Sequence, residues 1–517
     1  MDNPETEHHS GATAVGDAGA APSLLDQVMA ATAPQTFDEQ TRLAAFLAER
    51  SPQAALALWV EGRVPAAGPA TLRGISQLLS RDIARIDAAI NRQLNAILHH
   101  PRFQKLESTW RGLTYLLEHA DPERNIKVRV LNATWAELTR DMERAVEFDQ
   151  SALFQKVYSD EFGVAGGEPF GMLIGDYEVR HRPAADHPTD DLSTLTAISG
   201  VAAAAFAPFI CAADPVLLGV DHFGQLERPM DLTATFDQVE YTRWKSFRQL
   251  DDARFIGLAL PRVLMRLPHG EDSTRTDFFC FKEEVAGPDQ RNYLWGNAAW
   301  ALGGVVLRAF ADFGWMADIR GFRRGEQSGG IVSDLPVCSF AMDAGDIGTR
   351  FSTEVLISDP LEKELGNLGF IPLCHSQYSD DSVFYSNASA NKPKVYNEAL
   401  ATVNARISGM LQYVLCVSRF SHYLKVQARS RIGGFTEPQE LEDRLSKWLN
   451  EYTADDNNSS AEVRARFPLR EASVQIREHP EKPGTFLCVM QLCPHYQMDT
   501  MSAGIRLTTE MAPANSR

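Results

Sequence analysis

The sequence predicts an α/β fold with mixed α+β character: a multi-layer core, a helical N-terminal region and extended terminal arms. Three observations predict it. Residues 38–118 keep helical spacing throughout, residues 170–213 alternate strand, helix and strand, and residues 472–492 form two extended runs around a Pro-Gly turn.

In chain order, residues 1–22 are Gly, Ala, Asp, Glu and His with little to bury, which predicts a disordered tail. Residues 23–36 form a tethered amphipathic segment: Ser23 can cap a helix whose Leu24, Leu25, Val28 and Met29 share a face, and Pro34 stops it. Such a helix either docks in another protein's groove or folds back on its own domain, and spacing leaves both open. Residues 37–120 form the helical region, in which Leu79, Ile83, Ile86, Ile90, Leu94 and Ile97 keep three-and-four spacing. A second helix starts at Pro101, with Phe103, Leu106, Trp110, Leu113 and Leu117 as its apolar stripe.

Residues 121–470 form the α/β core. The period turns alternating at 126–131, a helix follows from Trp135, then a strand at 170–177, a helix at 192–205 and a buried strand at 206–213. A further strand ends at Pro261. The run 296–310 is almost uncharged and framed by Trp295, Trp300 and Trp315, so it reads as a core helix whose Gly303 and Gly304 permit close packing. Strands at 336–340, 353–357, 370–374 and 383–385, a helix at 361–368 and a long helix over 397–431 complete the core. Residues 471–517 supply the two terminal strands and a tail; chain-end strands can pair with another subunit, although closing a hairpin within the chain is commoner.

Charge and cysteine usage limit the function. A net charge of −18 is the wrong sign for a protein that chiefly binds nucleic acid or an anionic membrane. Seven scattered cysteines without a CxxC pair imply free thiols in a reducing cytoplasm. No apolar run reaches the roughly 18 residues of a membrane span, and the acidic start is unlike a signal peptide, so a cytoplasmic protein is expected.

Catalytic patterns are absent. The glycines at 163–167, 303–304 and 329–330 lack the lysine or spacing of a phosphate loop, and His8-His9 and His99-His100 lack companions at ligand spacing. Asp176, Asp251-Asp252 and Glu283-Glu284 could meet as an acid/base pair, but solvated or capping roles are the commoner use of such groups. The expectation is no enzyme, no cofactor, no metal, and a structural or assembly role.

Six stretches carry a family resemblance: HPRFQKLESTWRGL (100–113), FGMLIGDY (170–177), WKSFR with DARFIGL (244–258), YLWGNA (293–298), LGFIPL (368–373) and SRFSHYLK (418–425). In this order they resemble the large subunit of the type VI secretion contractile sheath, the TssC/VipB/EvpB family, over residues 23–506. The resemblance implies pairing with a small sheath subunit (TssB/VipA). It also implies stacking with copies of the chain in a helical six-fold lattice around an Hcp tube, a baseplate, and dismantling by the ClpV ATPase.

The resemblance further implies roles for particular residues. Leu24, Leu25, Val28 and Met29 would anchor the ATPase, though Ala33 and Pro34 stand where the family leads one to expect an arginine. Val474, Ile476, Phe486, Cys488 and Met490 would lie in strands shared between subunits, and Lys392, Lys394, Glu398 and Arg406 would face the tube. A sheath of another contractile injection particle or phage-like tail, without ATPase recycling, is the alternative.

Overall fold

Each of the apolar pentapeptides FICAA, IGLAL and IPLCH is buried along its whole length, as central strands covered on both faces must be. The computed structural model describes residues 37–60, 72–270, 279, 281–285, 290–323, 326–339, 350–376, 381–430, 438–454, 460–478 and 486–495. The chain divides into two units, Met1–Gln104 with Pro268–Ala286, and Lys105–Leu267 with Gly287–Arg517.

The first unit holds α1 (Phe37–Ala48), α2 (Pro52–Val60) and α3 (Leu72–Leu98). Helix α4 (Pro101–Glu118) opens on its proline, where the missing N–H costs no hydrogen bond, and enters the second unit at Lys105.

The second unit is a three-layer sandwich. Its sheet contains β1 (Leu173–Val179), β2 (Phe209–Ala213), β3 (Ile256–Leu260), β6 (Ile331–Val332), β9 (Ile371–His375) and β10 (Ser382–Phe384), in the order β1-β2-β3-β9-β10-β6. The first four of these are parallel, and β10 runs antiparallel to both neighbours. Two-residue pairs, β4 (Val263–Leu264) with β5 (Trp295–Gly296) and β7 (Cys338–Ser339) with β8 (Arg350–Phe351), stand apart.

Strand alternation divides the core. Phe209, Cys211, Ile256, Leu258 and Leu260 face a cluster built with α5 (Trp135–Arg144), α6 (Asp191–Ala205) and the flanking helices α7 (Leu232–Phe236) and α8 (Thr242–Arg248). Helix α5 starts in a capping box, Thr134 with Glu137. On the other face Ile210, Ala259, Ile371 and Leu373 meet α9 (Ala298–Phe313), together with Tyr115 and Leu116 of α4. The uncharged run thus is a central helix. Asn297 caps it by accepting from Ala299 N–H at 2.8 Å.

After α10 (Asp359–Asn367) and β9, the expected long helix is two: α11 (Ala399–Ser408) and α12 (Leu411–Arg429). The break lies at Gly409 and the extended Met410. Gly409 O accepts from both Ser389 N–H (3.0 Å) and Ser389 Oγ, and Leu411 N–H donates to Asn387 O at 2.9 Å. Pairing with 387–389 thus replaces the helical bonds there. Residues 126–131, read as a strand, join no sheet among the described residues, and of 353–357 only Thr353 forms an isolated bridge, to Val263.

A third cluster closes the C-terminal region. Helices α13 (Pro438–Asn450) and α14 (Ala461–Arg466) precede the antiparallel hairpin of β11 (Leu469–Glu478) and β12 (Phe486–Pro494). Trp315 and Phe420 stack at 4.3 Å between ring centres, and Leu445, Leu449, Leu469, Val474 and Ile476 pack around them.

Candidate assembly interface

A sheet edge exposes unpaired N–H and C=O groups that another chain can pair with, so each edge poses the same question. At β1 the Asn297 amide donates to Gly175 O (3.3 Å) and Tyr177 O (3.1 Å). At β6 the Arg308 guanidinium donates to Ile331 O and, at 2.7 Å, to Gly329 O, while Tyr115 Oη donates to Ser333 O at 3.1 Å. Burial lowers the Arg308 pKa and raises that of the Tyr115 phenol, so both are donors fixed out of water. Side chains close both edges of the main sheet.

The hairpin differs. Glu442 of α13 accepts from Ile476 N–H at 2.9 Å, and at the strand's start Leu469 exchanges bonds with Tyr452 and Ala454. The outer edge of β11 is therefore held at both ends. Because Ile476 N–H points away from β12, the alternation of an antiparallel ladder turns its opposite residue Cys488 outward too, and with it Met490 and Leu492. Among the described residues none of these three meets a backbone partner.

The site residues expected on this hairpin fall on it as follows. Val474 and Ile476 point into the third cluster and are buried, Met490 packs against it half-buried, and Cys488 is exposed. Phe486 pairs with Glu478 at the end of the hairpin where the chain passes from β11 to β12. Partial burial first and the charge of Glu442 second raise the Cys488 thiol pKa, so it stays protonated at neutral pH.

Lys392 and Lys394 line an open groove of about 550 Å³ with Asp251, Arg254, Tyr396 and Asn404. Lys394 Nζ lies 3.5 Å from Asp251 Oδ1, and Lys392 N–H donates to Arg248 O at 2.7 Å. Glu398 and Arg406 sit exposed at opposite ends of α11 and do not line the groove. No residue of α11 is buried, and its Leu400 and Val403 face solvent. Leu24, Leu25, Val28 and Met29 lie outside the described residues.

Of the carboxylates considered for acid/base work, Asp176, Asp251 and Glu283 have structural partners. Asp176 accepts from Lys105 Nζ (2.9 Å), Thr109 Oγ1 (2.5 Å) and Trp300 Nε1 (3.3 Å), and Glu283 accepts from His269 N–H (2.8 Å). Asp251 pairs with Arg254 at 3.3 Å. Among the described residues no group of three or more His, Cys, Asp or Glu is placed to hold a metal ion, and no helix is long and apolar enough to cross a membrane.

Sequence reading missed the edge-closing residues Asn297, Arg308 and Glu442. No local signal could have found them, since each acts on a strand 21 to 122 residues away in the chain.

Comparison with known proteins gives these features a context. The tail sheath N-terminal domain of the EvpB/VC_A0108 family matches residues 80–391, and the family's gpW/gp25-like tail sheath domain matches residues 400–511. The type VI secretion system sheath protein TssC1 of Pseudomonas aeruginosa is 38% identical over 435 residues, which cover 84% of this chain and 85% of that protein. Among solved structures, the contracted sheath complex of the extracellular contractile injection system PVC is 11% identical, covers 60% of this chain and 68% of its own, and has a TM-score of 0.31. The anti-feeding prophage baseplate is 10% identical, with 75% and 84% covered and a TM-score of 0.34. With both domains matched in order and this identity over most of its length, the chain belongs to the EvpB/VC_A0108 tail sheath family, the large subunits of the type VI secretion contractile sheath.

Proposed function

We propose that the chain pairs with the small sheath subunit (TssB/VipA) and stacks with copies of itself in a helical six-fold lattice around an Hcp tube. The sheath meets a baseplate, and contraction propels the tube. One observation carries the assembly reading: the main sheet's edges and β11 are met by the chain's own groups, whereas among the described residues β12 keeps an unpaired row at Cys488, Met490 and Leu492. A strand of a neighbouring subunit added there is held by main-chain bonds. Those bonds persist while the bodies they link rotate, as a contracting lattice requires.

The tube would lie against the Lys392–Lys394 groove and α11, whose Leu400 and Val403 are exposed among the described residues. The segment 23–36 would be the handle by which ClpV dismantles the contracted sheath. The protein acts in the cytoplasm and carries out no catalysis of its own.

Co-expression with the small subunit, followed by negative-stain microscopy, tests the reading: tubes of cogwheel section are expected, and none after deletion of residues 472–517. Soluble, unassembled protein from the full chain contradicts it. A peptide of residues 20–36 is expected to bind the ATPase's N-terminal domain in fluorescence anisotropy; absence of binding removes the recycling step and leaves the sheath.

A further inference from the structure

Between α11 and α12 the apolar phase of the sequence runs on where the helix stops. Leu400, Val403 and Ile407 of α11 and Leu411 and Val414 of α12 recur at intervals of three and four, so on one continuous helix they would share a face. A single dihedral angle separates the observed form from that helix. Gly409, at φ −89° and ψ −3°, is still in the right-handed helical region. Met410 has a helical φ of −82° but a ψ of 132°, where a helix needs about −42°.

The strap 387–389 holds Met410 in that conformation. Ser389 donates from its N–H and its Oγ to Gly409 O, and Asn387 O accepts from Leu411 N–H, which closes an isolated antiparallel bridge between Ala388 and Met410. The strap also carries a penalty. The Asn387 side chain is 1% exposed, and among the described residues neither its Oδ1 nor its Nδ2 has a hydrogen-bond partner. A buried amide without partners weakens the element that keeps it out of water.

Little opposes the alternative. No residue of α11 is buried, so displacing it uncovers little apolar surface. A continuous helix replaces the strap's bonds with its own, Leu411 N–H to Ile407 O and Tyr413 N–H to Gly409 O, and leaves Ser389 N–H and Asn387 O to water.

We propose that α11 and α12 are a two-state element latched by residues 387–389. When the strap lets go, ψ of Met410 turns to its helical value and α11 joins α12 in one helix over 399–429. The groove changes with it, because α11 contributes Ala401, Asn404, Ala405 and Ser408 to its lining. The chain thus offers its surroundings either a groove or a longer helix, and whatever binds one of the two selects it. The inference does not rest on the sheath reading.

Hydrogen exchange resolved to single amides tests it on the full chain co-expressed with the small sheath subunit, whether or not the two assemble. Fraying of the strap alone frees Ser389 N–H and Leu411 N–H together, since they are the two bonds of one bridge. Joining of the helices frees Ser389 only. The Ser389 amide is therefore expected to be protected at least tenfold less than those of Leu411 and Tyr413, which keep a partner in both states. Ser389→Ala, which removes the hydroxyl bond to Gly409 O, is expected to lower protection at position 389 about fivefold further and leave Leu411 unchanged. Asn387→Val, which removes the unpartnered amide, is expected to raise the protection of Ser389 about fivefold. Equal protection of Ser389 and Leu411 in the wild-type chain overturns the inference, whether both are low, as in fraying, or both reach the limit set by global unfolding. Lower protection of Ser389 in Asn387→Val overturns it as well.

Discussion

Single side chains decide where this fold can grow. Glu442, Asn297 and Arg308 each meet backbone groups that would otherwise be free to pair with another strand. Glu442→Ala leaves Ile476 N–H without its acceptor, and a loss of about 1 kcal/mol is expected in thermal or urea unfolding, with Glu442→Gln closer to wild type because its carbonyl still accepts. Glu442→Ala should also increase self-association, since a second edge opens. His422 sets a pH limit of another kind. It is buried with Nε2 3.0 Å from Ala205 O, so the neutral ring donates from Nε2. Burial holds its pKa at about 4, against 6.5 for the free group, with Arg419 and Lys425 adding to the depression. The unfolded chain therefore binds the proton first. Stability is full above pH 6.5 and falls as the pH drops towards 4, by roughly 3 kcal/mol at about 1.4 kcal/mol per pH unit. His422→Gln keeps a donor for Ala205 O and should flatten urea-unfolding stability across that window.

At the scale of elements, α9 was legible because composition alone marks it: no charge over most of its length, and glycines where neighbours come close. A Cβ on Gly303 would sit 2.6 Å from Ile174 Cδ1, and one on Gly304 would sit 2.8 Å from Tyr115 Cε1. Gly304→Ala is expected to cost about 1–3 kcal/mol by calorimetry, because the Tyr115 ring is held by its bond to Ser333 O and cannot simply move aside. The terminal hairpin was legible too, since Val474 and Ile476 alternate with polar residues around a Pro-Gly turn. What stayed hidden depends on distant partners. The break at Gly409 needs residues 387–389 beside it, and local spacing on both sides is helical. Residues 126–131 have strand chemistry, yet Lys127 and Arg129 are drawn to Glu168 and Glu161 by ion pairs instead of into a ladder.

For the whole molecule, a self-sufficient sandwich carries parts that are not self-sufficient. The second unit has continuous cores on both faces of its sheet, while among the described residues the first unit buries no apolar side chain and the exposed face of α11 and the β12 edge have no covering surface. That division suits a subunit stable enough to survive a large rearrangement and built to complete itself through neighbours. The central claim, that β12 is the strand through which subunits join, is tested most directly by Cys488→Pro. Proline removes an outward N–H, whereas the bonds to β11 come from the alternate residues Leu487 and Val489. The variant, co-expressed with the small subunit and compared by negative-stain microscopy with wild type and Cys488→Ala, is expected to keep the wild-type melting temperature and form no tubes. Tubes of normal length from Cys488→Pro would contradict the account.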